Sequence, residues 1–391
     1  MRLFSLQKTF ARTLLKATRL TNSNKLMDAT RLIQRTLAKN AAVLHPVSAM
    51  NKEASPVARA SVQPYPAPLP EVIILEPEKD RDTGLYDSPK GRNSSFTLHQ
   101  FVFEGDVYPY RLYIPSLPAS AFGQPTKMPL IVLLHGCKQD ALDFSHGTAM
   151  NTLAENHQAM VLYPEQVISS NAMRCWNWFD PNHQQTDQGE PGMIAALTLK
   201  MIAECHADPA RIYVAGLSAG GAMAAVVAHL YPLLFAAVGV HSGLAAGAAQ
   251  SMMQAFSAMQ EGSKGSRTTA MPTIVFHGTA DQTVNPNNGK YVVDAALTAY
   301  KAKGQELVKS KASAKTLGEA SGGASQDEPA ERTTYSNAAG KPFVESWRIP
   351  AGPHAWSGGN SRGSYTDPDG PDASKAMLAF FLQHRRDETL N

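Results

Sequence analysis

The sequence predicts an α/β fold built on a doubly wound, mostly parallel sheet flanked by helices. Short apolar runs that suit strands buried on both faces alternate with longer helix-like stretches from about residue 130 onwards. One such run, Arg211–Ala215, leads through Gly216-Leu-Ser-Ala-Gly220 straight into a helix-like stretch, which indicates a sharp strand-to-helix turn. The 391 residues can form one large domain or two ordinary ones, and 43% of them are hydrophobic, which is enough for a large core.

The first 40 residues are basic and amphipathic. Nine Lys and Arg face a single acid, Asp28, and apolar residues recur at helical spacing opposite the basic ones. We therefore predict a basic amphipathic helical extension over residues 1–40. Three roles stay open for it: contact with a granule or membrane surface, an organelle transit peptide, and an extension that packs on the domain. Lys8 interrupts the first apolar run, so we find no typical secretory signal.

A proline-rich linker is predicted over residues 41–95, because prolines cluster between positions 56 and 70 and turn formers follow them. The catalytic domain is predicted over residues 96–391. Within it, residues 303–333 are rich in Lys, Ser, Ala, Gly, Glu and Pro and poor in bulky apolar residues. This composition predicts a disordered surface insertion.

The domain begins with a predicted hairpin, residues 96–103 and 108–114, closed by a turn at Gly105-Asp106. Leu130–Leu134 is a continuous apolar run that ends in His135-Gly-Cys137. Later elements alternate in type. Strands are predicted at 160–163, 211–215, 236–240, 273–276 and 343–349, and helices at 140–156, 191–205, 219–231, 287–303 and 372–384.

The composition argues against several kinds of site. A formal charge of +3 is too small to indicate nucleic acid as the main partner. The three cysteines, Cys137, Cys175 and Cys205, contain no Cys-x-x-Cys pair, so we expect no structural metal, and no organic cofactor is required. No apolar run is long enough to span a membrane. The number of chains in the assembly is not determined by the sequence.

Ser218 lies in the strand-to-helix turn, where its hydroxyl would point away from the sheet at a helix N-terminus. A serine hydroxyl needs a base, and the base needs an orienting acid. In hydrolases with this turn the order along the chain is serine, acid, histidine. Asp281, just past a strand, and His354, on the loop after the last long strand, fit that order. His241 and His277 are rivals for the base, but both precede Asp281.

A serine nucleophile also needs donors for the oxyanion that forms during attack. The backbone N–H of the residue after the nucleophile, Ala219, is the expected first donor. The second should come from the loop after an early strand, and we predict the backbone N–H of Cys137.

Several motifs in one order make the sequence resemble the esterase/polyhydroxybutyrate depolymerase family, which has the α/β-hydrolase fold. The resemblance runs from about Phe96 to the last helix. The motifs are His135-Gly-Cys-Lys-Gln139, Tyr163-Pro-Glu-Gln166, Cys175-Trp-Asn-Trp-Phe179, Gly189-Glu-Pro191, Gly216-Leu-Ser-Ala-Gly-Gly-Ala-Met223, His277-Gly-Thr-Ala-Asp281 and His354-Ala-Trp-Ser-Gly-Gly359. The resemblance implies Ser218 as nucleophile with Asp281 and His354 as partners, and Cys137 at the oxyanion hole.

The resemblance also implies a substrate, a polyester or a small ester. Trp176, Trp178, Phe179 and Gln139 are predicted to bind it, the aromatic residues by packing against an acyl chain. Core packing is the alternative for each aromatic residue. Cys137 and Cys175 belong to two of the motifs, and we predict a disulfide between them that fixes the oxyanion loop.

We therefore expect a serine esterase that cleaves short-chain polyhydroxyalkanoate, such as poly-3-hydroxybutyrate, or its oligomers through an acyl-enzyme. A carbohydrate esterase acting on feruloyl or acetyl groups is the alternative enzyme. A non-catalytic granule- or membrane-surface protein is the alternative of another class. The resemblance implies an extracellular location. The untypical N-terminus and the absence of a polymer-binding domain after the last helix leave a cytoplasmic, granule-associated location open.

Overall fold

The computed structural model describes residues 93–117, 127–313 and 329–386. The chain divides into two units, Met1–Ala67 and Pro68–Asn391, and all described residues belong to the second. The predicted extension over residues 1–40, with its surface-binding role, lies outside the described residues. So does the predicted linker, apart from its last three residues. None of the described helices is long and apolar enough to cross a membrane.

A ten-stranded sheet forms the centre of the fold. Its strands are β1 (Ser95–Phe103), β2 (Asp106–Ile114), β3 (Met128–Leu134), β4 (Met160–Pro164), β5 (Ala207–Leu217), β6 (Ala237–His241), β7 (Thr273–Gly278), β8 (Val308–Ser313), β9 (Glu331–Ser336) and β10 (Pro342–Ile349). They lie in the order β1-β2-β4-β3-β5-β6-β7-β10-β9-β8. The six strands from β4 to β10 in that order run parallel, and antiparallel strands close both edges. The doubly wound, mostly parallel sheet predicted from the sequence is confirmed.

Helices cover both faces of this sheet. They are α1 (Ala141–Thr148), α2 (Met150–Asn156), α3 (Gly189–Glu204), α4 (Ala219–Leu230), α5 (Met252–Glu261), α6 (Asn287–Ala302) and α7 (Ala373–Phe381). Strand β3 shows how two cores arise, since its side chains alternate between the faces. Leu130 and Val132 pack with α3, α4, α5 and α6, whereas Ile131 and Leu133 pack with α1, α2 and α7. Because both faces are covered, β3 is apolar throughout and fully buried.

The expected disordered insertion over residues 303–333 is wrong at both ends. Strand β8 pairs antiparallel with β9, and β9 pairs with β10. Lys311 Nζ lies 2.8 Å from Glu331 Oε1 across the first pair. Most of β8 is exposed, so the strand has no buried face that would require alternating apolar residues. Its composition therefore resembles that of a disordered segment. Residues 314–328 lie outside the described part.

Candidate active site

The turn that carries Ser218 joins β5 to α4 without a loop. Ser218 has φ 58° and ψ −119°, a conformation that is costly for a residue with a side chain. Its backbone N–H donates to the carbonyl of His241 at the end of β6 (2.9 Å). A Cβ on Gly220 would lie 2.1 Å from the Leu134 carbonyl oxygen, so only glycine allows this approach of α4 to β3. The packing holds the strained serine in place.

Ser218, His354 and Asp281 meet in one hydrogen-bonded line. His354 Nε2 lies 2.9 Å from Ser218 Oγ, and His354 Nδ1 lies 2.7 Å from Asp281 Oδ2. The side chains of Asp281 and His354 are 0% and 13% exposed. Since a carboxylate only accepts hydrogen bonds, Nδ1 carries the hydrogen and Nε2 is free to accept the serine proton. The three residues predicted from their order in the chain are thus brought together.

Two loops converge to make this possible. Asp281 follows β7 and His354 follows β10, and these strands are parallel neighbours, so both loops leave the same edge of the sheet. The N–H of Ala280 donates to the carbonyl of Gly352 (3.0 Å), which ties one loop to the other. A Cβ on Gly278 would lie 2.1 Å from that same carbonyl oxygen. The close approach therefore depends on glycine at the end of β7.

The Asp281 carboxylate is held in its charged form. Burial raises its pKa, but hydrogen bonds from His277 and His354 and from the Val284 N–H outweigh burial, so the pKa lies below its usual value. Oδ1 accepts from the backbone N–H groups of Thr283 (2.9 Å) and Val284 (2.8 Å). A charged, fixed carboxylate can orient His354 and stabilise its protonated form.

The predicted oxyanion donors lie on two neighbouring elements. Ala219 is the first residue of α4, where N–H groups have no carbonyl in the same helix to donate to. Cys137 follows β3, the parallel neighbour of β5. A disulfide joins Cys137 to Cys175, 38 residues later. The N–H of Lys138 donates to the carbonyl of Met173 (2.7 Å). The loop after β3 that carries Cys137, called the oxyanion loop, is therefore joined to the segment 173–175 by this hydrogen bond and by the disulfide.

A buried acid lies beneath that segment. Glu190 is 1% exposed, and its carboxylate accepts from the Asn177 backbone N–H (2.7 Å) and from the Gln166 side-chain amide (2.6 Å). The same Gln166 amide also donates to the Cys175 carbonyl (3.0 Å). Burial raises the pKa of Glu190, which His183 and these hydrogen bonds partly oppose. Sequence reasoning missed this network, although both residues stand in the motifs Tyr163-Pro-Glu-Gln166 and Gly189-Glu-Pro191.

Two of the predicted substrate-binding residues are placed differently from expectation. Trp176 is 0% exposed and its indole N–H donates to the His135 carbonyl (3.1 Å). Gln139 is 1% exposed; its oxygen accepts from the Gly136 N–H (2.9 Å) and its amide donates to Asp143 (2.9 Å). Both predictions need correcting, because these side chains brace the oxyanion loop and have no surface left for a substrate.

The other two aromatic residues are adjacent. Trp178 is also buried, whereas Phe179 is partly exposed and packs edge-on against Trp178, with ring centroids 5.6 Å apart. Of the four residues, Phe179 offers the most surface to a ligand. Within the described ranges we find no group of three or more His, Cys, Asp or Glu side chains placed to hold a metal ion.

Two buried histidines support the site from below. His135 Nε2 accepts the backbone N–H of Gln166 (3.0 Å), and His241 Nε2 accepts that of Ser357 (3.0 Å). Desolvation by burial lowers the pKa of His135 to about 4 and that of His241 to about 3. Protonation would place a charge in the core and break the accepted hydrogen bond. Both rings are therefore neutral, and the two ring nitrogens of His241 are hydrogen-bonded to Ser242 and Ser357.

We expect the protein to lose stability on mild acidification. Both histidines have folded-state pKa values below the unfolded value of 6.5, so the unfolded chain binds the extra protons. Their contribution is complete above pH 6.5 and is lost as the pH falls. Between pH 7 and pH 5 each should cost about 2 kcal/mol of unfolding free energy. Urea unfolding at each pH measures this loss of unfolding free energy. The raised pKa values of Glu165 and Glu190 act in the opposite direction, because the folded state binds their protons more readily.

His241→Gln should flatten the pH dependence, since the glutamine amide does not titrate. His157→Gln is the matched control, because His157 is exposed and should leave the slope as in the parent protein. A stability that stays constant between pH 7 and pH 5 would contradict the assignment of neutral buried rings.

Comparison with known proteins agrees with this architecture. Residues 108–302 match the family model described as "Esterase PHB depolymerase". The chain belongs to the esterase/polyhydroxybutyrate depolymerase family. Within this family, and so within the α/β-hydrolase superfamily, it is similar to poly(3-hydroxyalkanoate) depolymerase C of Paucimonas lemoignei, with 35% identity over 189 residues, 44% of this chain and 45% of that protein.

It is also similar to feruloyl esterase B of Neurospora crassa, with 36% identity over 121 residues, 31% of this chain and 40% of that protein. The matches thus span less than half the length of these two relatives. Among solved structures, the acetyl xylan esterase from Aspergillus awamori covers 73% of this chain and 99% of its own, with 19% identity and a TM-score of 0.53. This last likeness supports the fold alone.

Proposed function

We propose that the chain is a serine esterase that hydrolyses the ester bonds of short-chain polyhydroxyalkanoate or its oligomers. The observation that carries the proposal is the line of hydrogen bonds from Ser218 Oγ through His354 to Asp281. Such a line makes a serine alcohol nucleophilic, because the imidazole takes its proton during attack.

The reaction proceeds in two halves. Ser218 Oγ attacks the ester carbonyl while His354 Nε2 takes the hydroxyl proton, and the N–H groups of Ala219 and Cys137 receive the oxyanion. The C–O bond to the leaving alcohol then breaks as His354 returns the proton to that oxygen. Water, deprotonated by His354, then attacks the acyl-enzyme. The bond from the acyl carbon to Ser218 Oγ breaks as His354 returns the proton to that oxygen, which releases the acid and restores the serine hydroxyl. Asp281 holds the imidazole orientation throughout.

An exposed apolar surface supports a polyester substrate. On α5, which follows the carboxyl end of β6, the large side chains of Met252, Met253 and Phe256 are 59%, 70% and 60% exposed. Ser218 follows the carboxyl end of β5, the parallel neighbour of β6. Ser218 and the segment that leads into α5 therefore leave the sheet at the same edge. No Asp, Glu, Lys or Arg occurs between Arg211 and Glu261. An exposed apolar patch on a segment without charged side chains complements a neutral aliphatic polymer.

The start of α5 is tied to the aromatic segment. Gln184 Nε2 donates to the carbonyls of Trp178 (3.1 Å) and Ala249 (2.7 Å), and α5 begins three residues after Ala249. The α5 patch, formed by Met252, Met253 and Phe256, thus lies beside the segment that carries Phe179. A polymer lying on α5 would reach the nucleophile edge of the sheet from that side.

A substrate panel tests the proposal. We expect kcat/KM to be highest for 3-hydroxybutyrate oligomers, compared with p-nitrophenyl butyrate, methyl ferulate and acetylated xylan. Amorphous polymer should also be hydrolysed. Feruloyl and acetyl esters are the alternative because relatives in this family carry those names. A preference of about tenfold or more for methyl ferulate or acetylated xylan, or some 1.4 kcal/mol of transition-state binding, would select the carbohydrate esterase instead.

Altering the α5 patch separates adsorption from chemistry. Met253→Ser with Phe256→Ser should lower amorphous polymer hydrolysis about tenfold while p-nitrophenyl butyrate hydrolysis changes less than about twofold. Leu233→Ser is the matched control: Leu233 is also 60% exposed, but its loop enters the amino end of β6, at the opposite edge. Equal losses on both substrates in the α5 variant would argue against a docking role for this helix.

A further inference from the structure

A second histidine contacts the acid of the site. His277 is the fifth residue of β7, and its ring is buried. His277 Nε2 lies 2.9 Å from the Val284 carbonyl oxygen and 3.3 Å from Asp281 Oδ2. Both atoms only accept hydrogen bonds, so Nε2 must carry a hydrogen that faces them together. Asp281 Oδ2 therefore receives hydrogen bonds or close N–H contacts from two imidazoles, His354 and His277.

The other side of the His277 ring offers no hydrogen bond. Nδ1 is buried and has no partner within the described part of the chain. Gly289 of α6 packs against it: a Cβ there would lie 2.8 Å from Nδ1 and 2.9 Å from His277 Cβ. Gly289 packs against the Nδ1 side of the ring, and Nε2 makes the hydrogen bond on the other side. This arrangement directs Nε2–H towards Asp281 and Val284. The packing indicates a defined orientation for that N–H.

We propose that His277 is a positioning residue for the triad: its Nε2–H orients the Asp281 carboxylate and draws charge from the oxygen that holds His354. The inference rests on the proposed function. A donor on Oδ2 makes that oxygen less basic, so Asp281 stabilises the protonated form of His354 less strongly.

Among the described residues, the titratable and charged groups near His277 come from its own loop, from β6 and from β10, where Arg348 is its partner in register. Asp281 lies on its own loop, His354 comes from the loop after β10, and His241 ends the neighbouring strand β6. From α6, Gly289 carries no titratable group, and Lys290 bonds Asp294 2.6 Å away on the exposed face. The pH dependence of the reaction is therefore expected to respond to His277 mainly through Asp281 and His354.

The test compares pH profiles of kcat/KM on p-nitrophenyl butyrate. In His277→Leu the acidic limb should move to higher pH, and kcat should fall about tenfold with a smaller change in KM. His277→Gln places an amide N–H near the Nε2 position and should recover most of the shift. His384→Leu is the matched control for loss of a buried imidazole, since His384 lies beyond α7.

A structural role would give different results. In the Asp281→Asn background the carboxylate is gone, so adding His277→Leu should leave the pH profile unchanged. An equal fall in kcat when His277→Leu is made in the parent protein and in the Asp281→Asn protein would overturn the inference. Gly289→Ala, which displaces the ring but keeps it, should shift the limb in the same direction if His277→Leu does not fold. Unmoved limbs in both variants would also overturn it. Activity persisting in Ser218→Ala would instead contradict the proposed function itself.

Discussion

Ser218→Ala should lose about four to six orders of magnitude in kcat on every ester the parent protein hydrolyses. The hydroxyl is the atom that becomes covalently bound to the acyl group, and neither His354 nor the oxyanion donors can replace it. The residual rate reflects binding and the oxyanion donors acting on water. Initial rates with p-nitrophenyl butyrate, and the mass of the protein after treatment with a phosphonate ester, measure the loss and the missing adduct.

The same substitution should leave stability nearly as it was. The alanine side chain would meet the same left-handed backbone conformation as the serine it replaces, and the backbone N–H bond from this position to the His241 carbonyl stays in place. Ser145→Ala is the matched control. Ser145 is also buried, and its hydroxyl bonds the Leu142 carbonyl within α1, away from the line of hydrogen bonds. Full activity in Ser218→Ala would favour a different nucleophile or the non-catalytic scaffold.

Removing the disulfide should cost both stability and turnover. The disulfide closes a loop of 38 residues, for which chain-entropy reasoning gives about 4 kcal/mol, with smaller values common in practice. It also holds Cys137, whose N–H is one of the two proposed oxyanion donors. Losing one well-placed donor typically lowers kcat by about 10²-fold or more. Cys175→Ser should therefore lower the urea midpoint and kcat together, with a smaller change in KM.

Reduction of the parent protein should reproduce that result. Dithiothreitol added to the native protein should lower kcat, and reoxidation should recover it. Cys205→Ser is the control, because Cys205 follows α3 and the disulfide uses the other two cysteines. A Cys175→Ser protein with parent kcat would show that Lys138 and Gln139 hold the loop well enough by themselves. In that case the disulfide would act on stability alone.

Local rules are enough for a large part of the fold and site. The apolar run of β3 must be buried on both faces, and the glycines around Ser218 allow a turn that other residues would block. The placement of Asp281 and His354 follows from chain order, since parallel strands deliver their carboxyl ends to one edge. These inferences need periodicity and spacing, which a sequence displays directly.

Other features depend on what surrounds a residue. Gln139 and Trp176 look like site residues in the sequence, yet neighbours bury them and occupy their polar atoms. Strand β8 has the composition of a disordered segment, and it is ordered by pairing with β9. The Glu190 network gave no signal beyond its motif, because its partners come from separate segments.

The sequence by itself determined the parallel sheet, the turn that carries Ser218 and the three residues expected to act together. Only the tertiary structure decided which histidine faces the serine and which ones are neutral supports, and that His277 shares the oxygen of Asp281 that holds His354. The physical reason is the distance along the chain over which each kind of interaction acts. Backbone conformation and apolar periodicity act over a few residues, whereas burial, hydrogen-bond partners and charge depend on groups brought together from distant parts of the chain.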